Sequence, residues 1–147
     1  NFDSIFEGLF NSKRKDEKDL TILIFDIDNF KKINDEFGHL VGDKVLIEVA
    51  NIFKSTFRNS DILVRWGGDE FVALLPKIKE EKAYRLTKKL SQNINNNETL
   101  FNLLKQKITI SVGLHSKKDE TSKEELFSKA DKNLYQAKQE GRDKIVY

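Results

Sequence analysis

The segment RWGGDEF, Arg65 to Phe71, places two glycines and then two carboxylates between two apolar, β-branched runs. The runs are Ile62–Val64 and Phe71–Leu75. Because glycine reaches positive φ at little cost, runs joined in this way predict a β-hairpin with a tight turn. The turn would hold Asp69 and Glu70 together, and adjacent carboxylates repel each other unless a cation binds beside them. The segment therefore predicts both a hairpin and the place of the chemistry.

The strand pattern recurs along the chain, and five strands are predicted, near residues 20–28, 61–66, 71–75, 108–114 and 144–147. The first is almost continuously apolar, which is typical of a central, buried strand. The fourth alternates apolar with small polar residues, which predicts a half-buried strand. With the helices between them, the strands predict an α+β fold. It is a single, mostly antiparallel five-stranded sheet with flanking helices on one face, of the ferredoxin-like kind.

Two helices are predicted between the first strand and the hairpin. Asp28 is placed to cap a short helix, and Gly38 to end it. Gly42 and Asp43 then open a second helix with apolar residues at helical spacing. Both helices would pack an apolar face on the sheet.

Two further helices are predicted in the second half of the chain. One covers residues 80–94 and is followed by the polar stretch Asn93–Asn97, which predicts a loop. Ser122 with Glu125 forms a capping box for the last helix, which ends at Gly141.

The amino-acid composition limits which classes of protein this chain can belong to. The 147 residues fit a single domain, and 38% are apolar, with 11 Phe, which is enough for a packed core. The 26 basic and 24 acidic residues give a net charge of +2, too even to favour nucleic acid as a partner. Cysteine is absent, and no apolar run approaches the roughly 20 residues of a membrane helix. The chain begins at Asn1, which indicates a piece of a longer protein, with residues 1–19 as a shortened lead-in helix and a charged loop.

Acidic side chains also end the first strand, at Asp26 and Asp28. If that strand lies beside the hairpin, Asp26 meets Asp69 and Glu70. Magnesium is bound by one or two carboxylates together with substrate phosphates, so this arrangement predicts metal-assisted phosphoryl or nucleotidyl transfer. The alternative for Asp26 is that it ends the strand and has no functional role. For Asp28, the alternative is that it caps the following helix.

Several ordered segments resemble the GGDEF domain of diguanylate cyclases: Phe25–Asp35, Phe37–His39, Gly42–Asp43, Arg65–Phe71, Ile108–Gly113 and Ala137–Arg142. The resemblance runs from about residue 20 to the C-terminus, and the family's usual lead-in is absent or truncated. It implies a nucleotidyl-cyclase catalytic core that condenses two GTP into cyclic di-GMP and releases pyrophosphate. Since that product is two-fold symmetric, each GTP attacks the other, and catalysis needs a homodimer.

The resemblance also implies a metal site. Asp26, Asp69 and Glu70, with the Ile27 carbonyl, correspond to ligands of two Mg²⁺ ions per active site, with Mn²⁺ as an alternative. Asp69 and Glu70 are the implied catalytic pair. Asp69 is also the implied acceptor of the proton from the attacking ribose 3′-hydroxyl.

Guanine recognition is implied for Asn34 and Asp43. A carboxylate offers only acceptors, which match the paired N–H donors on guanine that adenine lacks. The alternative for Asp43 is an ordinary helix N-cap after Gly42. His39 is implied as a nucleotide contact, and a local structural histidine is the other interpretation.

Phosphate binding is implied at two helix ends. Phe30 and Lys31 would direct backbone N–H groups at the phosphates, where the helix dipole favours anions. Lys138 and Arg142 correspond to triphosphate contacts, although basic residues at a helix C-terminus are also favourable without a ligand.

Arg58 and Asp61 form an Arg-x-x-Asp motif ahead of the hairpin, where the family carries its product-inhibition site. The resemblance therefore implies an allosteric site for cyclic di-GMP, which is then both product and inhibitor. The alternative is an arginine that ends a helix and an aspartate that opens a strand.

A catalytically silent module that senses GTP or cyclic di-GMP is the main alternative function. Asp26, Asn34, Asp43 and Gly67–Phe71 are all present, whereas degenerate members lose such acids, so an active enzyme is favoured. A cyclase with another product, or a pure interaction domain, fits the acids at the strand ends less well. A cytoplasmic location is expected, and the full-length protein is either free there or anchored to a membrane.

Overall fold

The computed structural model describes residues 1–14 and 18–147, which contain six helices and five strands. Their bounds are α1 Phe2–Phe10, β1 Leu20–Ile27, α2 Phe30–Phe37, α3 His39–Thr56, β2 Ile62–Gly67, β3 Glu70–Pro76, α4 Glu80–Asn95, α5 Glu98–Leu104, β4 Ile110–Ser116, α6 Lys123–Gln139 and β5 Lys144–Val146. The predicted charged loop before β1 lies, at residues 15–17, outside the described residues. None of the helices within the described ranges is long and apolar enough to cross a membrane.

The strands form one five-stranded sheet in the order β2-β3-β1-β4-β5. All neighbours are antiparallel except β4 and β5, which are parallel. The predicted sheet, its hairpin and the central position of the first strand are therefore confirmed. The register places Asp26 opposite Glu70 on one side and opposite Ser111 on the other.

Helices cover both faces of the sheet, so the prediction of helices on one face is wrong. All eight residues of β1 are buried. Leu23 and Phe25 belong to a core with α2, α3, α4 and α5, whereas Ile22 and Ile24 belong to a second core with α1 and α6. Successive strand residues point to opposite faces, so a continuously apolar strand requires a layer on each side.

Six of the seven residues of β4 are buried for the same reason, all except His115, and the half-buried strand of the sequence prediction is wrong. Its Gly113 lies against α6: a Cβ there would come within 2.0 Å of the Ala130 carbonyl oxygen and 2.3 Å of the Leu134 nitrogen. Glycine at position 113 is therefore an adaptation to the close approach of a helix and not to solvent.

Gly113→Ala is expected to destabilise the fold by about 1–3 kcal/mol, because the backbone of α6 has to move to admit the methyl group. Gly8→Ala is the matched control: a Cβ at Gly8, inside α1, would contact nothing within 4 Å among the described residues. That change should be neutral or stabilising, since alanine is the better helix former. Urea unfolding measures both variants, and equal stabilities would contradict the tight packing of β4 on α6.

Two helix starts differ from the sequence prediction. α2 begins after Asn29, whose φ is 59°, and Asp28 does not cap it, because its carboxylate is bonded to β4 instead. α3 begins at His39, so Asp43 lies in its second turn, and the alternative of an N-cap for Asp43 is wrong. Gly38 ends α2 with a φ of 89°, as predicted.

The predicted loop at Asn93–Asn97 is shorter than expected. α4 continues to Asn95, and Asn97 caps a further helix, α5, by accepting a hydrogen bond from the Leu100 nitrogen at 2.9 Å. Asparagine is common in loops and equally favourable at an N-cap, so composition alone does not separate the two. Ser122 caps α6, as predicted, by accepting from the Glu125 nitrogen at 3.1 Å.

A buried carboxylate holds the connection between β4 and α6. Glu120 accepts hydrogen bonds from Lys129 Nζ at 2.5 Å and the Lys118 nitrogen at 2.8 Å, and its Oε2 lies 3.0 Å from His115 Nε2. Burial alone would raise the pKa of Glu120, but these partners outweigh it and lower the pKa to about 2.

Glu120 should therefore stabilise the fold above its ordinary pKa of 4.5, and this contribution should be lost as the pH falls toward 2. Glu120→Gln is expected to be less stable at neutral pH and to lose less stability between those pH values. Urea midpoints measured from pH 6 to pH 2 test this, with the exposed Glu124→Gln as control. Parallel curves for wild type and Glu120→Gln would contradict the assignment.

Candidate active site

The hairpin turn carries the acids to the end of the central strand. Gly68 has a φ of 51°, and Arg65 Nε donates to the Gly68 carbonyl oxygen at 2.8 Å, which closes the turn. The Asp69 carbonyl oxygen accepts from the Ile27 nitrogen at 3.4 Å, so the turn is joined to the strand that carries Asp26. Glycine is needed at position 68 because a side chain is strained at this φ.

Three carboxylates converge there, as predicted. Asp26 faces Glu70 across β1 and β3, and Asp69 is in the adjoining turn. Burial raises the pKa of Asp26, and the charge of Asp69 adds to the rise. Burial and the charge of Asp26 likewise raise the pKa of Glu70. Burial and the neighbouring carboxylates thus both disfavour the charged forms of Asp26 and Glu70, and a cation bound beside them would relieve this.

Lys138, in the last turn of α6, partly supplies that charge through an ion pair with Asp26 Oδ2. Burial would lower the pKa of Lys138, but the bond to Asp26 and the nearby charges of Asp69 and Glu70 outweigh it and raise the pKa. The second oxygen of Asp26, Oδ1, is buried and has no hydrogen-bond partner among the described residues. One oxygen of Asp26 therefore remains for a cation.

The donor set suits magnesium that arrives with a phosphate ligand. Within the described residues there is no group of three or more His, Asp or Glu side chains arranged to hold a metal by themselves. Mg²⁺ needs only one or two carboxylates when waters and substrate phosphates complete its six ligands. The orphaned Asp26 Oδ1 and the repelling Glu70 fit this requirement.

A cleft of about 440 Å³ opens beside the acids, between the end of β1, the start of α2 and the end of α6. Seven of the predicted site residues line this cleft: Asp26, Ile27, Phe30, Lys31, Asp69, Lys138 and Arg142. Lys32 and Asp35 of α2 also line it, although no role was predicted for them. The basic cluster Lys31-Lys32 at a helix N-terminus was the signal that could have marked Lys32 as an anion contact.

Asn34 and Asp43 do not line this cleft. Asn34 Oδ1 is buried without a hydrogen-bond partner among the described residues, and a Cβ on Gly42 would come within 1.9 Å of it. Glycine at position 42 thus leaves the space that the amide of Asn34 occupies. Asp43 is exposed and lines a second cavity, of about 490 Å³, with Leu46 and Arg65. His39 is exposed at the start of α3.

Arg58 and Asp61 bind each other. Arg58 Nη2 donates to Asp61 Oδ1 at 2.6 Å and Nε donates to Oδ2 at 3.1 Å, and Nη2 also donates to the Pro76 carbonyl oxygen at 2.7 Å. The Asp61 side chain is fully buried, whereas that of Arg58 is 30% exposed. The pair joins the end of α3 to the end of β3, and the arginine is the member that a ligand can reach.

Asp28 was predicted only as a helix cap, and its surroundings are different. It lines the cleft, and its carboxylate is bonded to Thr109, Ser111 and the backbone of Asp143. The sequence signal for these bonds was the pair of hydroxyl residues, Thr109 and Ser111, in the fourth predicted strand. Asp28 lies 81 positions before Thr109 and 83 before Ser111, so the pairing could not be predicted from the local pattern.

The comparisons with known proteins agree with this geometry. The family model described as diguanylate cyclase, GGDEF domain, matches residues 1–144, so the match begins within the lead-in and not near residue 20. Diguanylate cyclase A of Treponema denticola is 37% identical over 148 residues, which cover 99% of this chain and 40% of that protein.

Solved structures show the same fold. The active GGEEF domain of a diguanylate cyclase from Vibrio cholerae aligns with a TM-score of 0.87 at 30% identity, over 97% of this chain and 91% of that one. The GGDEF domain of DgcB from Caulobacter crescentus, solved in complex with c-di-GMP, aligns with a TM-score of 0.85 at 25% identity, over 99% and 86%. The sheet, the acidic hairpin and the match along nearly the whole sequence lead to one conclusion: the chain belongs to the GGDEF domain family of diguanylate cyclases.

Proposed function

We propose that this chain is the catalytic domain of a diguanylate cyclase, which condenses two GTP into cyclic di-GMP and releases two pyrophosphates. The observation that carries the proposal is the convergence of Asp26, Asp69 and Glu70 beside a cleft with basic walls. The chain spans 40% of the Treponema relative, so the activity of the whole protein, its substrates and its partners belong to the proposal.

In the proposed reaction, the 3′-hydroxyl oxygen of each GTP forms a bond to the α-phosphorus of the other, and the bond to the pyrophosphate oxygen breaks. Asp69 takes the hydroxyl proton at its carboxylate. Asp26 and Glu70 would hold Mg²⁺, with Ile27 and Asp69 contributing, and Mn²⁺ is an alternative. Bound metal would supply positive charge at the phosphates. Lys138 and Arg142 bind the triphosphate, and the backbone at Phe30 and Lys31 adds anion contacts at the start of α2.

Guanine is assigned to the region between α2 and α3. The buried, unpaired Oδ1 of Asn34 and the exposed carboxylate of Asp43 are acceptors that guanine N–H groups can satisfy. His39, at the start of α3, is assigned a contact with the same nucleotide. Because the metal and phosphate cleft holds one GTP, two chains have to face each other, and the active species is a homodimer.

The experiment is incubation of the purified chain with Mg²⁺ and GTP, followed by identification of the product by mass, with ATP as the competing substrate. Cyclic di-GMP from GTP alone, at a specific activity that rises with protein concentration, is the expected result. Asp69→Asn should abolish the product, whereas Glu81→Gln, on the exposed face of α4, should not change it. Tight GTP binding without any product would contradict the proposal and favour the silent sensor.

Product inhibition at Arg58 and Asp61 is the regulatory part of the proposal. Its support is the partly exposed guanidinium of Arg58, held in place by a buried Asp61. Since guanidinium groups bind phosphate in a bidentate manner, Arg58→Ala should remove the inhibition of the initial rate by added cyclic di-GMP. Melting curves control for the lost bond to Pro76, and equal inhibition of wild type and variant would contradict the site.

A further inference from the structure

Asp28 connects three parts of the fold through one buried carboxylate. Its Oδ1 accepts from Ser111 Oγ at 2.6 Å. Its Oδ2 accepts from Thr109 Oγ1 at 2.6 Å and from the Asp143 nitrogen at 3.0 Å. Both oxygens are thus already engaged by three donors, unlike Asp26, whose Oδ1 is unpaired among the described residues. Although Asp28 lines the cleft, three of the roughly four acceptor sites of its carboxylate are taken by protein donors, so its main role is to hold these donors.

The bond to Asp143 holds a strained segment. After α6, Gly141, Arg142 and Asp143 have φ values of 108°, 65° and 48°. The left-handed region is unfavourable for residues other than glycine, because their Cβ crowds the backbone there. Two successive residues other than glycine therefore keep this conformation only while the surroundings hold them. Asp28 holds Asp143, and the Ala137 carbonyl oxygen holds the Arg142 nitrogen at 3.0 Å.

This strained segment determines where a basic side chain lies. Arg142 lines the same cleft as Lys138, the last basic residue of α6. If Asp143 were released, Gly141–Asp143 could relax toward negative φ. The side chain of Arg142 would then leave the cleft, whereas Lys138, inside a regular helix, would stay. The carboxylate of Asp28 is the side-chain contact that opposes this, together with the backbone bond from Arg142 to Ala137.

We infer that Asp28 is a positioning residue for phosphate recognition, which anchors the left-handed segment at Asp143 so that Arg142 faces the cleft. The inference rests on the proposed function in one respect, that the cleft receives a triphosphate. Asp28 itself touches neither the phosphate nor the reacting atoms.

Binding of inorganic tripolyphosphate with Mg²⁺, measured by calorimetry, tests this without turnover. Asp28→Ala should weaken binding by about tenfold, as is usual when a residue that orients a ligand-binding group is lost. Asp28→Asn should stay within about threefold of wild type, because its carbonyl oxygen can still accept from Asp143 and Thr109 while its amide donates to Ser111. Ser111→Ala removes a bond from the same carboxylate but leaves the Asp143 bond in place. It should also stay within about threefold.

Two further measurements separate positioning from a general loss of structure. Arg142→Ala should weaken tripolyphosphate binding, and Asp28→Ala should add little to that loss in the double variant, because both act through one side chain. Hydrogen exchange at the Asp143 amide should be fast in Asp28→Ala and slow in Asp28→Asn. If Asp28→Ala does not fold, Asp28→Ser replaces it, since its shorter side chain cannot reach the Asp143 nitrogen.

Additive losses in the double variant, or equal losses in Asp28→Ala and Ser111→Ala, would overturn the inference. So would a wild-type chain that does not bind tripolyphosphate. The proposed function fails separately, if GTP gives no cyclic di-GMP while the binding pattern of the Asp28 variants is as expected. A chain that makes cyclic di-GMP but whose Asp28→Ala variant binds tripolyphosphate as wild type does would retain the function and lose the inference.

Discussion

Glu70→Gln is expected to lower the rate of cyclic di-GMP formation by roughly 10²- to 10³-fold, the usual loss when a group that stabilises transition-state charge is removed. Glutamine keeps the shape of glutamate but not its charge. The same change should stabilise the metal-free protein, because burial and Asp26 already raise the pKa of Glu70, which shows that its charge is unfavourable there. Activity should therefore fall while the melting temperature rises.

Melting curves with and without Mg²⁺ provide the control for this prediction. Mg²⁺ and GTP together should raise the melting temperature of wild type and have a smaller effect on Glu70→Gln, since ligands stabilise a fold in proportion to their binding. Glu81→Gln, on the exposed face of α4, should behave as wild type in both assays. A Glu70→Gln variant with full activity, or with reduced stability in metal-free buffer, would contradict the role of Glu70 in the carboxylate cluster.

Lys138→Met is expected to have the second-largest effect, on stability as well as on activity. Its removal leaves Asp26 buried with an uncompensated charge, which should cost about 2 kcal/mol in metal-free buffer. The value is below that for a fully buried pair because the Lys138 side chain is 37% exposed. Loss of a triphosphate contact should also lower kcat/KM for GTP by about tenfold or more. Urea unfolding and steady-state kinetics measure the two effects.

The double variant Asp26→Asn/Lys138→Met is the matched control for stability. Without the carboxylate there is no unpaired charge, so the double variant should recover most of the stability that Lys138→Met loses. Mg²⁺ should also stabilise Lys138→Met more than it stabilises wild type, because the cation no longer competes with an ammonium group for Asp26. A double variant as unstable as the single one would contradict the ion pair.

The features that could be predicted from the sequence are those with a local signal. The Gly67-Gly68 turn, the apolar run of β1 and the alternation of β4 each indicate an element, and the register of β1 with β3 brings Asp26 to Glu70. A strand pattern shows which residues alternate, but it does not show whether a second layer covers the other face. The burial of β4 and the helices on both faces were missed for that reason.

The site residues also divide into those that a local pattern could predict and those that it could not. The sequence could place three acids together, because β1 pairs with β3 of the hairpin and the end of β1 therefore lies beside the hairpin turn. These acids are Asp26, Asp69 and Glu70. Asp28 was assigned to the nearest helix because Asp often caps the next turn. Its partners come from β4 and from the segment after α6, and no local pattern indicates a contact between residues 115 positions apart.

The sequence by itself determined the family, the sheet and the acids of the site, because these depend on residue type and on spacing along the chain. Only the tertiary structure decided how those charges are balanced. It pairs Lys138 with one oxygen of Asp26, leaves the other oxygen unpaired among the described residues, and directs Asp28 at the backbone of Asp143. The physical reason is that the free energy of a buried charge depends on the groups that surround it in space, and those groups come from distant parts of the chain.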